Sequence, residues 1–245
     1  MKVLVSVRDA HEAALVARAG VDFIDLKEPS RGALGGLPVD TIAALRRQIR
    51  QDAPTTPVTA TIGDWPAEAL DEITERVLRV ADTGVDQVKV GVERGPGALA
   101  LLDRLATLKA TGTPVVPVLI ADDGIDPARL RLAAAGGFAA VMLDTADKRG
   151  GSLLDRVPAA DLQHFITTIR ATGALAGLAG ALRLEEIPTL RRLGADFAGF
   201  RSAVCGDRRS GCIDKNLVID VFANISHCEK GTPMLNAIQP FPLSA

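Results

Sequence analysis

Lysine is scarce in this chain, seven residues against twenty-one arginines. Three of the seven fall where short apolar runs end: Lys27 in FIDLKEP, Lys89 in QVKVG and Lys148 in MLDTADKRG. The choice matters because lysine, unlike arginine, can lose its proton and attack a carbonyl carbon. Asp25 stands two residues before Lys27, a spacing that turns both side chains to one face of a strand. Lys89 would add positive charge that depresses a neighbouring amine, and Asp144 supplies a second carboxylate. Together these residues predict imine formation by a lysine, with carboxylates to move protons. The plainer alternative is an interior Asp25–Lys27 ion pair and a solvated Lys148. Three lysines gathered at one rim favour chemistry.

A second signal lies further on, in GLAGALRLEEIP and GFRSAVCGDRRSG. Small residues and helix starts there can hold a phosphate through backbone N–H groups, and Gly177, Ala179, Gly180, Arg201 and Ser202 are the candidate contacts. Ordinary turn chemistry is the competing reading. The segment EPSRGALGGLP, residues 28–38, is long and Gly-rich for a connection and reads as a lid or a flexible turn. His11, His164 and His227 sit in helix-like segments, so no metal-ligand set is expected, and no cofactor. Cys205, Cys212 and Cys228 contain no CxxC pair, and Cys205 reads as a small packing residue.

The elements that must position these groups alternate regularly. Eight strand candidates are Val3 to Val7, Phe23 to Leu26, Val58 to Ile62, Gln87 to Val90, Val115 to Ile120, Ala139 to Leu143, Ala174 to Leu178 and Phe197 to Arg201. Amphipathic runs with start signals lie between them: Asp9, Pro38, Pro66, Asp126 and Pro158 each precede one, and another covers Glu185 to Leu193. Four runs end in a small-residue turn such as ARAGVDFIDL and RRLGADFAGF, where glycine takes the left-handed conformation cheaply. The repeat predicts a single (β/α)8 barrel, with strand carboxyl ends carrying the site. The first strand runs into RDAHEA and not GxGxxG, which argues against a dinucleotide fold.

A chain of 245 residues suits one such barrel. Residues 1–228 are expected to form the catalytic barrel, and residues 229–245 a loose or subunit-contacting tail in a homo-oligomer. The net charge of -2 shows no basic excess, so no nucleic-acid partner is expected. The opening segment is too short and charged for a signal peptide or membrane span, so a cytoplasmic location is expected.

The motifs IDLKEPSRGALG, TATIGD, VKVG, MLDTADKRGGSLLD and LAGALRLEEIPTLRRLGADFAGFRSAVC closely resemble those of the (5-formylfuran-3-yl)methyl phosphate synthases of methanofuran biosynthesis. The resemblance covers roughly residues 3–222. It implies a lyase that condenses two molecules of glyceraldehyde 3-phosphate with loss of phosphate and water. It further implies Lys27 as the Schiff-base lysine, Asp25 as its acid–base carboxylate, Lys89 and Lys148 as further active-site lysines, and Asp144 as their acidic neighbour. GDRRSG is shorter than the family's Gly-rich form, which leaves open which backbone groups hold phosphate. Two other readings stand beside it: a class I aldolase or isomerase acting on another sugar phosphate, and a silent phosphometabolite-binding protein.

Overall fold

The computed structural model describes residues 1–148, 150–206 and 211–226. Eight parallel strands close into a barrel in sequence order: β1 (Lys2–Val7), β2 (Phe23–Leu26), β3 (Val58–Thr61), β4 (Gln87–Val92), β5 (Val115–Ile120), β6 (Ala140–Asp144), β7 (Leu175–Leu178) and β8 (Phe197–Phe200). The predicted strands are all present, with ends moved by a residue or two. The helices are α1 (Ala10–Ala19), α2 (Val39–Asp52), α3 (Leu70–Ala81), α4 (Ala98–Ala110), α5 (Pro127–Ala135), α6 (Leu153–Arg156), α7 (Ala159–Arg170), α8 (Ile187–Leu193) and α9 (Lys215–Ser226).

Local chemistry sets the helix ends. The Asp9 carboxylate accepts from the Glu12 N–H to start α1, and Asp126 accepts from Ala128 N–H ahead of α5, where Pro127, having no N–H, needs no acceptor. Gly20 and Gly194 end α1 and α8 at φ of 76° and 79°, in the left-handed conformation the turn pattern predicted. Helix α4 escaped the list of start signals because Gly97 caps it without a side-chain hydrogen bond.

Two apolar clusters follow from the pleat. Outward residues such as Val3, Val5, Val88, Val90, Leu143 and Ala176 pack against the helices. Inward residues form a separate filling of Leu4, Phe23, Val116, Val118, Met142 and Phe197, with the Phe23 and Phe197 rings 5.5 Å apart. A Cβ on Gly177 would run into the Phe197 ring, so glycine is what lets that ring fill the interior.

The barrel's seam carries a buried ion pair. Arg201, just beyond β8, forks onto Glu12 of α1 at 2.6 and 3.0 Å and also donates to the Ser6 carbonyl of β1 at 3.0 Å. Among the described residues no helix is long and apolar enough to cross a membrane. His227, Cys228 and the 229–245 tail lie outside the described residues, as do residues 207–210 of GDRRSG.

Candidate active site

The inward positions change character toward the carboxyl ends of the strands. Register places Ser6 beside Asp25 and Asp25 beside Thr59, so three polar side chains stand in a row across β1, β2 and β3. Lys89 lies one pleat higher on β4, level with Thr61, and reaches Asp25 with its Nζ 2.8 Å from Oδ1. Lys27 follows β2, its backbone still bonded to β1 through Val7 O, which keeps its side chain on the Asp25 face. Asp144 ends β6 opposite Ile120.

All five predicted catalytic residues converge. Asp25 accepts from Ser6 Oγ at 2.8 Å, Thr59 Oγ1 at 2.6 Å and Lys89 Nζ, and is wholly buried. Asp144 accepts from Lys148 Nζ and, at 2.8 Å, from the Thr145 N–H. Its other oxygen lies 4.0 Å from Lys27 Nζ. Burial alone would raise both carboxyls, but Lys89 and Lys27 around Asp25, and Lys148 and Lys27 around Asp144, hold them below the ordinary carboxylate range. For Lys27 burial dominates the other way. Against the pull of Asp144 and Asp25, it combines with the charges of Lys148 and Lys89 to push the amine down to about 7.

The loop carrying Lys148 is held by its neighbours. Asp122, after β5, accepts from Ala146 N–H at 2.6 Å and Asp147 N–H at 2.9 Å, while Arg156 of α6 bridges Asp122 and Asp147.

A cavity of about 30 Å³ opens among Lys27, Lys89, Lys148, Asp144, Ala179 and Ser202. That is room for about one water and far less than a sugar phosphate needs. Gly180 and Ala181 also border it, at φ of 116° and 47°. A Cβ on Gly180 would sit 2.9 Å from Thr145 Oγ1, so the chain can pass there only as glycine. Of the five predicted phosphate contacts, Ala179, Gly180 and Ser202 border the cavity. Gly177 lies a pleat below, under Phe197, and does not. Arg201 borders it as well, but its guanidinium is turned onto Glu12 and the carbonyls of Ser6 and Gly211.

Residues 28–38 fold over the mouth. Leu34 is buried inside the barrel top, so close to β4 that a Cβ on Gly91 would lie 2.7 Å from its Cδ1. Asp64 accepts from the Leu34 N–H at 3.0 Å, and Thr61 Oγ1 donates to Gly35 O at 2.9 Å. Ser6, Thr59 and Thr145 went unnoticed in the sequence. The one signal for the first two was a hydroxyl at an inward position of an otherwise aliphatic strand. His11 and His164 are exposed.

The family model for 4-HFC-P synthase matches residues 3–221, nearly all the described chain. The chain belongs to the 4-HFC-P synthase family. A relative from Methylorubrum extorquens is 41% identical over 213 residues, 85% of either chain. The (5-formylfuran-3-yl)methyl phosphate synthase of Methanococcus maripaludis strain C6 is 34% identical over 238 residues, 90% of this chain and 98% of its own. Among solved structures, phosphoribosyl anthranilate isomerase from Thermus thermophilus superposes with a TM-score of 0.63 at 16% identity, covering 93% of this chain and 99% of its own. At that identity it supports the barrel alone.

Proposed function

We propose that this member of the 4-HFC-P synthase family condenses two molecules of glyceraldehyde 3-phosphate into (5-formylfuran-3-yl)methyl phosphate, releasing phosphate and water, through an imine on Lys27. The observation that carries the reading is the buried Lys27 amine, held near 7 and 4.0 Å from Asp144. An amine of that basicity is substantially neutral near pH 7 and so is a competent nucleophile toward a carbonyl. The relatives' name, (5-formylfuran-3-yl)methyl phosphate synthase, supports the product.

In this mechanism one triose phosphate is isomerised to its ketose form and Lys27 adds to the carbonyl. The iminium carbon is the electrophile, because in the product the carbon that bears the phosphomethyl arm is bonded to two ring carbons and so is the ketose's central carbon with one new C–C bond. Asp144 takes the C2 proton of the second triose phosphate, because one of its oxygens carries only the long Lys27 contact, whereas Asp25 is already engaged by three donors. Lys89 and Lys148 stabilise the enediolate and help phosphate leave from C3. The resulting enol attacks the iminium carbon through its CH2 carbon, the ketose C1 hydroxyl closes the ring on the neighbouring ketone, and loss of water and of the Lys27 amine leaves the furan. The rim formed by Ala179, Gly180 and Ser202 receives a phosphate group, and the 28–38 lid draws Leu34 out of the mouth to admit substrate and returns to exclude water.

The test is incubation with glyceraldehyde 3-phosphate and borohydride, then peptide mass spectrometry, beside an unreduced sample scanned for a furan-aldehyde chromophore. Substrate mass on Lys27 with a new near-ultraviolet band supports the proposal. The adduct without the band would transfer the reading to an aldolase on the same lysine. Absence of both signals refutes it.

A further inference from the structure

Asp25 is the most enclosed charged group in the barrel, and its surroundings are built from both sides. Ser6 on β1 donates to Oδ2 and Thr59 on β3 donates to Oδ1, each from the register position directly beside it. Both hydroxyls are buried and stand among the inward-facing aliphatic and aromatic residues of the barrel. The charged groups facing Asp25 are Lys89 from β4 and Lys27 from its own strand. Valine would fill the place of Thr59 equally well, since the two have nearly the same shape. What valine lacks is the donor.

That donor matters for the state of the lysines. A carboxylate and an ammonium buried together are stable as ions only while the carboxylate keeps enough hydrogen bonds; otherwise the proton passes across and both become neutral. We propose that Ser6 and Thr59 are positioning residues, whose hydroxyls fix Asp25 as the anion that holds Lys89 as a cation beside the Lys27 amine. Thr59 does not line the cavity at Lys27, and Ser6 borders it with its hydroxyl spent on Asp25; both act through Asp25 and Lys89. This inference rests on the reading of Lys27 as the reactive amine. It assigns Asp25 a static role, in place of the proton-moving one that the sequence suggested.

The test compares Thr59→Val, which keeps shape and loses the hydroxyl, with Thr59→Ser, which keeps the hydroxyl and loses a methyl. In protein carrying [13C]aspartate, the Asp25 carboxyl resonance is assigned through Asp25→Asn and followed with pH. Thr59→Val should raise its midpoint by about one to two pH units, the worth of a hydrogen bond to a charged group, while Thr59→Ser leaves it unmoved. With glyceraldehyde 3-phosphate, Thr59→Val should lower kcat roughly ten- to hundredfold by the same arithmetic, with KM nearly unchanged, and Thr59→Ser should retain it. Ser6→Ala should follow Thr59→Val. An unmoved midpoint in Thr59→Val, or a serine variant more damaged than the valine one, overturns the proposal, since the latter pattern marks methyl packing. If wild type makes no furan yet the midpoints move as stated, the positioning role stands and the substrate assignment fails.

Discussion

Lys148→Met is the substitution that most sharply separates a tuned amine from an ordinary buried ion pair. Asp144 serves two lysines, bonded to Lys148 and 4.0 Å from Lys27. A unit pair at that distance attracts by about 4 kcal/mol at an effective dielectric of about 20, or about 3 pH units. The Lys27 amine nevertheless lies near 7 because burial and the repulsion of its neighbours outweigh that attraction. Removing Lys148 deletes a like charge and leaves Asp144 to Lys27 alone, and both changes favour the ammonium. The midpoint should climb by about 2 units, to about 9. At pH 7 the neutral fraction would fall from about one half to about one hundredth, a roughly fiftyfold loss of nucleophile. The assay is the rate of Lys27 labelling by trinitrobenzenesulfonate, read by peptide mass spectrometry from acid to alkaline pH, which needs no turnover. Alkaline pH should restore the variant's Lys27 reactivity. A midpoint that stays near 7, or falls, refutes the electrostatic argument.

Lys27→Met should stabilise the protein. Its folded pKa lies below the unfolded value of 10.5, so between about 7 and 10.5 the unfolded chain holds a proton that the folded one does not. Stability therefore rises with pH through that window, and the penalty is fully developed below it. At pH 7 it is on the order of 4 kcal/mol as an upper bound. Calorimetry should show the variant melting several degrees higher at pH 7, with the gap closing toward pH 10; equal melting at pH 7 would contradict this. Gly180→Ala should cost roughly 1–3 kcal/mol in urea unfolding, because it forces a side chain into φ 116° against Thr145, and it should slow imine trapping at Lys27. Glu12→Ala should cost about 3–5 kcal/mol by the same measurement, since it leaves Arg201 buried without its carboxylate.

Much of this architecture was legible beforehand because strand ends and lysine scarcity are local signals. Lys27, Lys89, Lys148, Asp25 and Asp144 could be brought to one rim by strand order and alternation alone. What lay hidden depended on distance along the chain or on roles that residue type does not announce. Arg201 looked like an anion ligand, and its partner Glu12 is 189 residues away. Gly177 looked like part of a phosphate turn, yet its missing side chain makes room for Phe197. Ser6 and Thr59 are ordinary strand residues until register sets them on either side of Asp25. The 28–38 loop left lid and turn equally open; burial of Leu34 in the barrel top favours the lid.

The Arg201–Glu12 brace bears on how the chain is made. Its two ends belong to the first and last βα units, so the contact is among the most non-local in the fold and can form only once β8 has left the ribosome. Until then β1 and β7 are open edges, and the Ser6 carbonyl lacks its guanidinium. Ser6 is also the residue that steadies Asp25. A nascent chain that has completed seven strands thus already contains every lysine of the site but lacks Gly199, Phe200 and Arg201, which wall the same cavity.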